Sequence, residues 1–413
     1  MKNFLKSDYF KILLLALLVR VLIMPFYYHP DIKTYYFQAS FLKEGVVNIY
    51  SYLESNKSKL PLKEDFVYFP LSYYFLGSYE MLASPFLGSG FKDWLYDANA
   101  TSMEKVGVFR YLFILKIPYL ILDIIIAFLL MSFFSNQEQK KKIFSLWLFN
   151  PISLAIIYIY SNLDIISVTL TLVSLMLLQK KHLVLSALCL GLGAGFKAYP
   201  LIFLPILILH AEDLKEKIKV VLVSLGTILV IIAPFLFSPS FKQQTLLSGL
   251  TTRMLLPTIN LGFGETILIA IMPLALLFFY TLLRNNLVKK EPTYYFLIIL
   301  ILLFSFIHFH IQWILWVMPF LLLTLVKKSQ LSKFMWFLLV AAFLIPIFYN
   351  DSSMSVSALR PISTWFVLVP IPYKIVGFIY DPFIVQSLLH TFFASAALII
   401  TWALLKEESK WID

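Results

Sequence analysis

From Ile143 to Leu178 the chain reads IFSLWLFNPISLAIIYIYSNLDIISVTLTLVSLMLL, a run compatible with lipid in which Asp164 is the one carboxylate. A helical span takes about 20 apolar residues, so the run is long enough to cross a bilayer twice. The polar Ser161-Asn162-Leu163-Asp164 then predicts the turn of a helical hairpin near one membrane face. An acid at that depth is costly enough to need a partner or a function.

The rest of the chain agrees with a membrane setting. Of its 413 residues, 60% are hydrophobic and 14% charged, whereas soluble domains carry about 25% charged residues. The chain is therefore read as a polytopic membrane protein, and a soluble enzyme is excluded. The net charge of +11 bears on which loops face the cytoplasm, not on nucleic acid. A lone cysteine, Cys189 in an apolar run, rules out an intramolecular disulfide and reads as core packing. The N-terminal stretch has a basic start and a long apolar run without a small-residue cleavage site before its aromatic cluster, the pattern of an uncleaved first span.

Basic clusters punctuate the apolar runs at Lys2/Lys6/Lys11, Lys140–Lys142, Lys180–Lys181, Lys215/Lys217/Lys219, Arg284/Lys289/Lys290, Lys327/Lys328/Lys333 and Lys406/Lys410. If all are cytoplasmic, each interval between them holds an even number of crossings. The interval 183–210 obeys this only as two short helices meeting at the break Phe196-Lys197-Ala198-Tyr199-Pro200. The interval 292–326 holds two spans joined at His308-Phe309-His310-Ile311-Gln312-Trp313, and residues 238–264 form an outer loop between two further spans. The reading is an all-α membrane protein, one polytopic domain over 1–413, with about twelve transmembrane helices and both termini cytoplasmic. Residues 29–110 form a long first extracytoplasmic loop, whose apolar stretch around Pro70–Pro85 is interrupted too often to span and is expected to lie in the interface.

This topology sends Asp31, Arg110, Lys116, Asp164, Lys197, Arg253 and the His308/His310/Gln312 group to one face. Asp31, just after a helix end at Pro30, has the chemistry to deprotonate an acceptor hydroxyl as it attacks an anomeric carbon; its plainer reading is a solvated loop acid. Lys197, with Tyr199 beside it, needs an anion or a water-filled cavity, unless it snorkels to the interface. Arg253 could hold a phosphate through its planar fork, or be a surface arginine. His308 and His310 are badly spaced for joint metal ligation on a helix and suit hydrogen bonding to phosphate or sugar, though interfacial histidines without function are common. Asp123 and Lys116 share a helix face and read as structural ion-pairing groups. Arg20 and Asn150 read as intramembrane hydrogen-bonding groups. Asp31 has no neighbouring aspartate, so a paired-carboxylate site for a divalent metal is only weakly supported, and the sequence makes no cofactor certain.

Taken in order, His29-Pro30-Asp31, Tyr68-Phe69-Pro70-Leu71, Lys116-Ile117-Pro118 with Asp123, Asn150-Pro151, Ser161-Asn162-Leu163-Asp164, Phe196-Lys197-Ala198-Tyr199-Pro200 and His310-Ile311-Gln312-Trp313 resemble the GT-C superfamily of integral-membrane glycosyltransferases. The likeness runs over about residues 10–325 and is nearest to polyprenyl-phosphate-sugar-dependent members related to the GPI mannosyltransferases. It implies inverting transfer of a hexose, with mannose the named candidate, from a polyprenyl-phosphate sugar to a lipid-linked or cell-surface glycan at the outer face. It also implies that the first-loop acid, here Asp31, is the general base. Many members carry two acids there, whereas this chain has Asp31 followed by Lys33. Asp164 is then expected to bind sugar hydroxyls or acceptor, with Lys197, Tyr199, Arg253, His308, His310 and Gln312 also binding substrate. The partners implied are the lipid-linked donor, the acceptor and membrane lipid, without nucleic acid. The rival reading is a transporter or flippase of lipid-linked saccharides, for which matching broken helices in two halves are expected and not evident; a membrane glycan polymerase is the third.

Overall fold

A computed structural model describes residues 8–248 and 252–409; Lys2, Lys6 and Lys410 of the expected basic clusters lie outside them. The described chain is helical apart from one two-stranded hairpin. Among the described residues, four helices are long and apolar enough to cross a membrane: Val108–Met131, Leu214–Phe235, Ser329–Ile347 and Pro382–Lys406. A fifth arises if Gln137–Leu148 and Pro151–Ile159, bent by 41° at a short break, count as one span. The protein is thus a helical, multi-pass membrane protein. The remaining expected crossings fall on apolar helices of 10–17 residues, among them Ile165–Gln179, Leu183–Ala194 and Pro292–Ser305, shorter than a full span of about 20.

The breaks have local causes. At the first, the Asn150 carboxamide oxygen accepts the N–H groups of Ile152 and Ser153 at 2.9 and 3.1 Å. Pro151 takes the first helical position, where its missing N–H costs nothing. The helix ends in a π turn at Ala155–Ile159, and Ser161 adopts a left-handed φ of 53°. Residues 161–164 therefore separate two helices, as the polar tetrapeptide predicted.

The chain divides into two compact units. The first comprises Met1–Ile166, Phe235–Gln244 and Ile347–Pro382. Its helix Asp8–Ile23 carries Arg20, 1% exposed, whose Nε lies 2.6 Å from an Asp123 carboxylate oxygen. Asp123 also accepts from Trp147 Nε1 and the Tyr158 hydroxyl, both at 2.7 Å. Lys116, fully buried at the kink between Val108–Leu115 and Ile117–Met131, donates to the carbonyls of Met24, Tyr27 and Tyr158 at 2.6–2.8 Å. Asp123 is thus the ion-paired member of the expected structural set, and Lys116 is satisfied by backbone alone. Residues 29–110 fold into helices Pro30–Ser40, Ile49–Asn56, Pro70–Leu87 and Gly90–Tyr96. The first and third of these approach closely at Gly77, where a Cβ would lie 2.7 Å from the Leu42 side chain and 2.9 Å from the Ala39 carbonyl.

The second unit comprises Ser167–Pro234, Thr245–Pro346 and Phe383–Asp413. Helix Leu183–Ala194 packs on Leu214–Ile232 through Gly191, whose Cβ would meet the Ser224 carbonyl at 2.6 Å. Small residues at helix contacts are the usual device where the solvent is lipid. The expected break at Lys197 is present: Leu183–Ala194 ends, and a 3-10 turn Tyr199–Phe203 leads into Leu204–His210. The outer-loop segment holds an element that sequence reading left as loop. Strands Thr258–Gly262 and Glu265–Leu268 pair antiparallel around Gly262, Phe263 and Gly264, all at positive φ. The first strand is exposed at every residue, so it carries no in–out alternation for a sequence to display.

Candidate functional site

In the first unit the site is built on helix Pro30–Ser40. Pro30 pre-sets the first helical φ, His29 caps the helix through Nδ1, which accepts the Asp31 N–H at 3.3 Å, and Asp31 falls in the first turn. A carboxylate there is favoured by the helix dipole. Its side chain is 29% exposed, and its Oδ1 lies 3.4 Å from His29 Nδ1. One helical turn on, the Tyr35 hydroxyl is hydrogen-bonded to Asp31 and lies 3.1 Å from the Tyr68 hydroxyl. The two rings meet edge to face at 5.0 Å.

Asp164 belongs to the same neighbourhood. Its side chain is 1% exposed, and its N–H is held by Asn162 Oδ1 at 2.8 Å. Burial, then the negative charges of Asp164 and Asp31, push the Tyr68 hydroxyl well above the ordinary tyrosine range, and burial followed by Asp31 does the same to Tyr35. Both therefore remain protonated donors facing the carboxylates. The Tyr119 hydroxyl, buried without a hydrogen-bond partner, also lies in the field of both acids. Within the turn, Ser161 Oγ and Asn162 Nδ2 are buried and unpartnered, polar atoms of the kind that a hydroxylated ligand or water satisfies. Tyr68 opens the Tyr68-Phe69-Pro70-Leu71 stretch and Tyr35 follows Asp31 by one helical turn, yet nothing in a tyrosine-rich sequence marks either out.

Lys33, two residues after Asp31, turns away from it. Its ammonium donates to the Asp97 carbonyl and to Ser102 Oγ and sits 5.0 Å over the Trp94 ring. Burial lowers it to about 8, against the opposing pull of Asp97. It ties the helix to the loop that follows Gly90–Tyr96. Among the described residues no group of three His, Cys, Asp or Glu side chains is placed to hold a metal ion.

The second unit gathers the other expected residues around two tryptophans. The Lys197 ammonium lies 5.1 Å over Trp316 and 5.6 Å over Trp313. Tyr199 stacks on Trp316 at 4.0 Å and 6°, and Trp316 stacks on Trp313 at 5.2 Å and 17°. The Arg253 guanidinium lies 5.2 Å over Trp313, and its Nη1 donates to the His308 carbonyl at 3.3 Å. His310 meets Trp313 edge to face at 5.9 Å and His308 at 5.8 Å. Gln312 is buried in the turn Ile311–Trp313. Both cations thus lie over the ring of Trp313, and Lys197 also over Trp316, contacts that favour a positive charge. Trp313 and Trp316 organise the cluster, and only the HIQW motif hinted at the first of them.

Residues 157–261 match the family model described as Mannosyltransferase (PIG-M). Over 103 residues the chain is 33% identical to the GPI mannosyltransferase 1 of Candida albicans, covering 24% of this chain and 26% of that relative. Over this segment the chain is similar to a GPI mannosyltransferase. The alignment spans about a quarter of the curated relative, and the matched segment is narrower than the likeness over 10–325 drawn from motifs. It contains Asp164, Lys197, Tyr199 and Arg253, while Asp31 and the histidine pair lie outside it. No solved structure matches the chain.

Proposed function

We propose that the protein is an inverting glycosyltransferase that moves a hexose, mannose by its relatives' names, from a polyprenyl-phosphate sugar to a lipid-linked or cell-surface glycan at the outer membrane face. The observation that carries this reading is the mannosyltransferase match over 157–261, which includes the buried carboxylate Asp164 and the cations Lys197 and Arg253. In this reading Asp31 is the base. It takes the proton of an acceptor hydroxyl as that oxygen bonds to the anomeric carbon; the bond from that carbon to phosphate breaks on the opposite face, and its electron pair leaves on polyprenyl phosphate. Positioned cations stabilise such a departing anion, the role assigned to Lys197 and Arg253 over their tryptophan platform. Asp164, with Tyr68, Ser161 and Asn162 near it, binds sugar hydroxyls. About twelve crossings, with both termini cytoplasmic and the site facing outward, complete the proposal; the short apolar helices support it by supplying the further segments.

The test gives purified protein in lipid a radiolabelled polyprenyl-phosphate hexose and candidate acceptors, comparing wild type with Asp31→Asn and Lys197→Ala. General-base catalysis contributes about 10²–10⁴-fold, so Asp31→Asn is expected to lose that much in kcat, and Lys197→Ala to raise KM for the donor. Translocation of the lipid-linked sugar by wild type without a new glycosidic bond would establish the transporter instead. Cysteine labelling near Asp31, Asp164 and His310 checks sidedness, and cytoplasmic access at any of the three refutes the outward-facing reading.

A further inference from the structure

The segment that follows helix Ser332–Ile347 carries no motif, yet it returns to the first unit and packs against the N-terminus of helix Pro30–Ser40. The Tyr28 N–H donates to the Ala358 carbonyl at 2.8 Å, Arg360 lies 5.1 Å over the Tyr28 ring, and the Tyr160 hydroxyl donates to the Met354 carbonyl at 2.9 Å. These contacts set Ser353 against His29. His29 Nε2 lies 3.3 Å from Ser353 Oγ, and Ser353 Oγ donates to Asp351 Oδ1 at 2.7 Å. Asp351 also accepts the Ser353 N–H at 2.8 Å, which holds its carboxylate in place.

The hydrogen-bond roles are determined by elimination. Nδ1 of His29 accepts the Asp31 N–H, so the neutral ring carries its proton on Nε2. That proton goes to Ser353 Oγ, whose own proton is committed to Asp351. A histidine's tautomer is set by the bond its far nitrogen makes. The Nδ1 lone pair is therefore what faces the Asp31 carboxyl at 3.4 Å. Both His29 and Ser353 are 4% exposed, and Asp351 is exposed, so the negative end of the chain is at the surface and its inner members are shielded from water.

We propose that His29 is the proton acceptor for Asp31, and that Ser353 and Asp351 are positioning residues that hold His29 ready for it. The inference rests on the reading of Asp31 as base. Once Asp31 has taken the acceptor proton, that proton passes from Asp31 Oδ1 to His29 Nδ1, whose lone pair gives up the Asp31 N–H as it accepts the proton. Asp31 returns to carboxylate and the ring becomes an imidazolium. Nε2–H still donates to Ser353, and the Asp351 carboxylate offsets the new charge through the serine hydroxyl. No co-reactant is needed, and as product departs the proton returns from Nδ1 through the Asp31 carboxyl, 29% exposed, to water. Lys33, the charged neighbour on the same helix, is engaged with Asp97 and Ser102, and Lys116, packed nearby against the Met24 and Tyr27 carbonyls, is fully occupied by backbone. Arg360 faces Tyr28.

Two readouts on the full-length protein in lipid test this. The first is the ¹⁵N NMR spectrum of histidine-labelled protein, with His29 assigned by its loss in His29→Gln. The expected spectrum has protonated Nε2 and bare Nδ1 at neutral pH, and Ser353→Ala mixes the tautomers; an Nδ1–H tautomer in wild type overturns the proposal. The second is the pH profile of kcat for transfer from polyprenyl-phosphate hexose. Ser353→Ala and Asp351→Asn are expected to lower kcat about tenfold and to displace the acidic limb of the profile, with donor KM within twofold of wild type and Ser353→Thr restoring most of the rate. An unchanged profile in both variants overturns the proposal. Absence of transfer in the wild type refutes the transferase reading, and the tautomer measurement then decides the His29 arrangement by itself.

Discussion

Replacing Asp123 with alanine tests how the first unit is held together. The carboxylate accepts three buried donors: Arg20 Nε at 2.6 Å, and Trp147 Nε1 and the Tyr158 hydroxyl at 2.7 Å. Arg20 and Asp123 side chains are each 1% exposed, so water does not replace the lost partner. Breaking a buried pair by removing one member costs about 3–5 kcal/mol, because the other charge stays buried. Each neutral donor left unpaired adds about 1–3 kcal/mol in a soluble core but about 0.6 kcal/mol between membrane helices, so Trp147 and Tyr158 bring the expected loss to about 4–6 kcal/mol. Arg20 keeps its bonds to the Ala16 and Leu148 carbonyls at 3.0 Å, and these hold the total toward the lower end. Reversible unfolding in mixed SDS micelles, followed by circular dichroism, reads the difference directly. The double variant Arg20→Met/Asp123→Leu removes both charges, so it is expected to regain most of the loss. A loss under about 1 kcal/mol for Asp123→Ala, or a double variant no more stable than the single one, would refute the reasoning. Because the Asp8–Ile23 helix leads directly to His29 and Asp31, Asp123→Ala is also expected to lower transfer activity, and Arg20→Met/Asp123→Leu to restore part of it.

Tyr68→Phe keeps the ring on Tyr35 and removes the hydroxyl that both carboxylates face; kcat for transfer is expected to fall about tenfold, about 1.4 kcal/mol of barrier, and an unchanged rate would remove Tyr68 from the site. Trp316→Leu takes away the surface on which Tyr199 stacks and over which Lys197 lies. With a cation–π contact worth about 0.5–2 kcal/mol, KM for the polyprenyl-phosphate donor should rise roughly 2- to 30-fold, and an unaltered KM would show that the platform does not hold the cations for the donor. Glu80 supplies a pH test: burial raises its carboxyl from 4.5 to about 8 in the folded chain, with Lys43 opposing. The folded state then binds the extra proton between those values, so stability falls as pH rises from 4.5 through about 8. Glu80→Gln should flatten that slope in thermal unfolding scans taken across the range, and an undiminished slope would assign it to another group.

Much of this was legible in the amino-acid order because its causes are local. A polar tetrapeptide in an apolar run marks a turn, and Ser161–Asp164 is one; a lysine beside proline between short apolar runs marks a broken helix, and Lys197 stands at one. Charged and amide groups inside lipid-length segments must find partners, which made Arg20, Asn150 and Asp123 readable as structural before any partner was visible. Span lengths were less legible: the even-crossing rule counts helices without limiting their length, and helices such as Leu183–Ala194 are shorter than a bilayer requires. The exposed hairpin at 258–268 escaped notice because its first strand has no buried face.

The sequence alone determined that this chain is helical and membrane-embedded and that residues 157–261 are similar to a mannosyltransferase, since hydropathy, basic clusters and short motifs are written along the chain. Tertiary structure decided what surrounds each candidate. It turned Lys33 away from Asp31, gave Lys116 to three carbonyls, set Tyr68 before two acids, and stacked Trp316 between Tyr199 and Trp313. It also joined His29 to Ser353 across 324 positions. Hydroxyls and rings are too common here for spacing to single any of them out, and contacts over such separations exist only once the folded chain brings their helices and turns together.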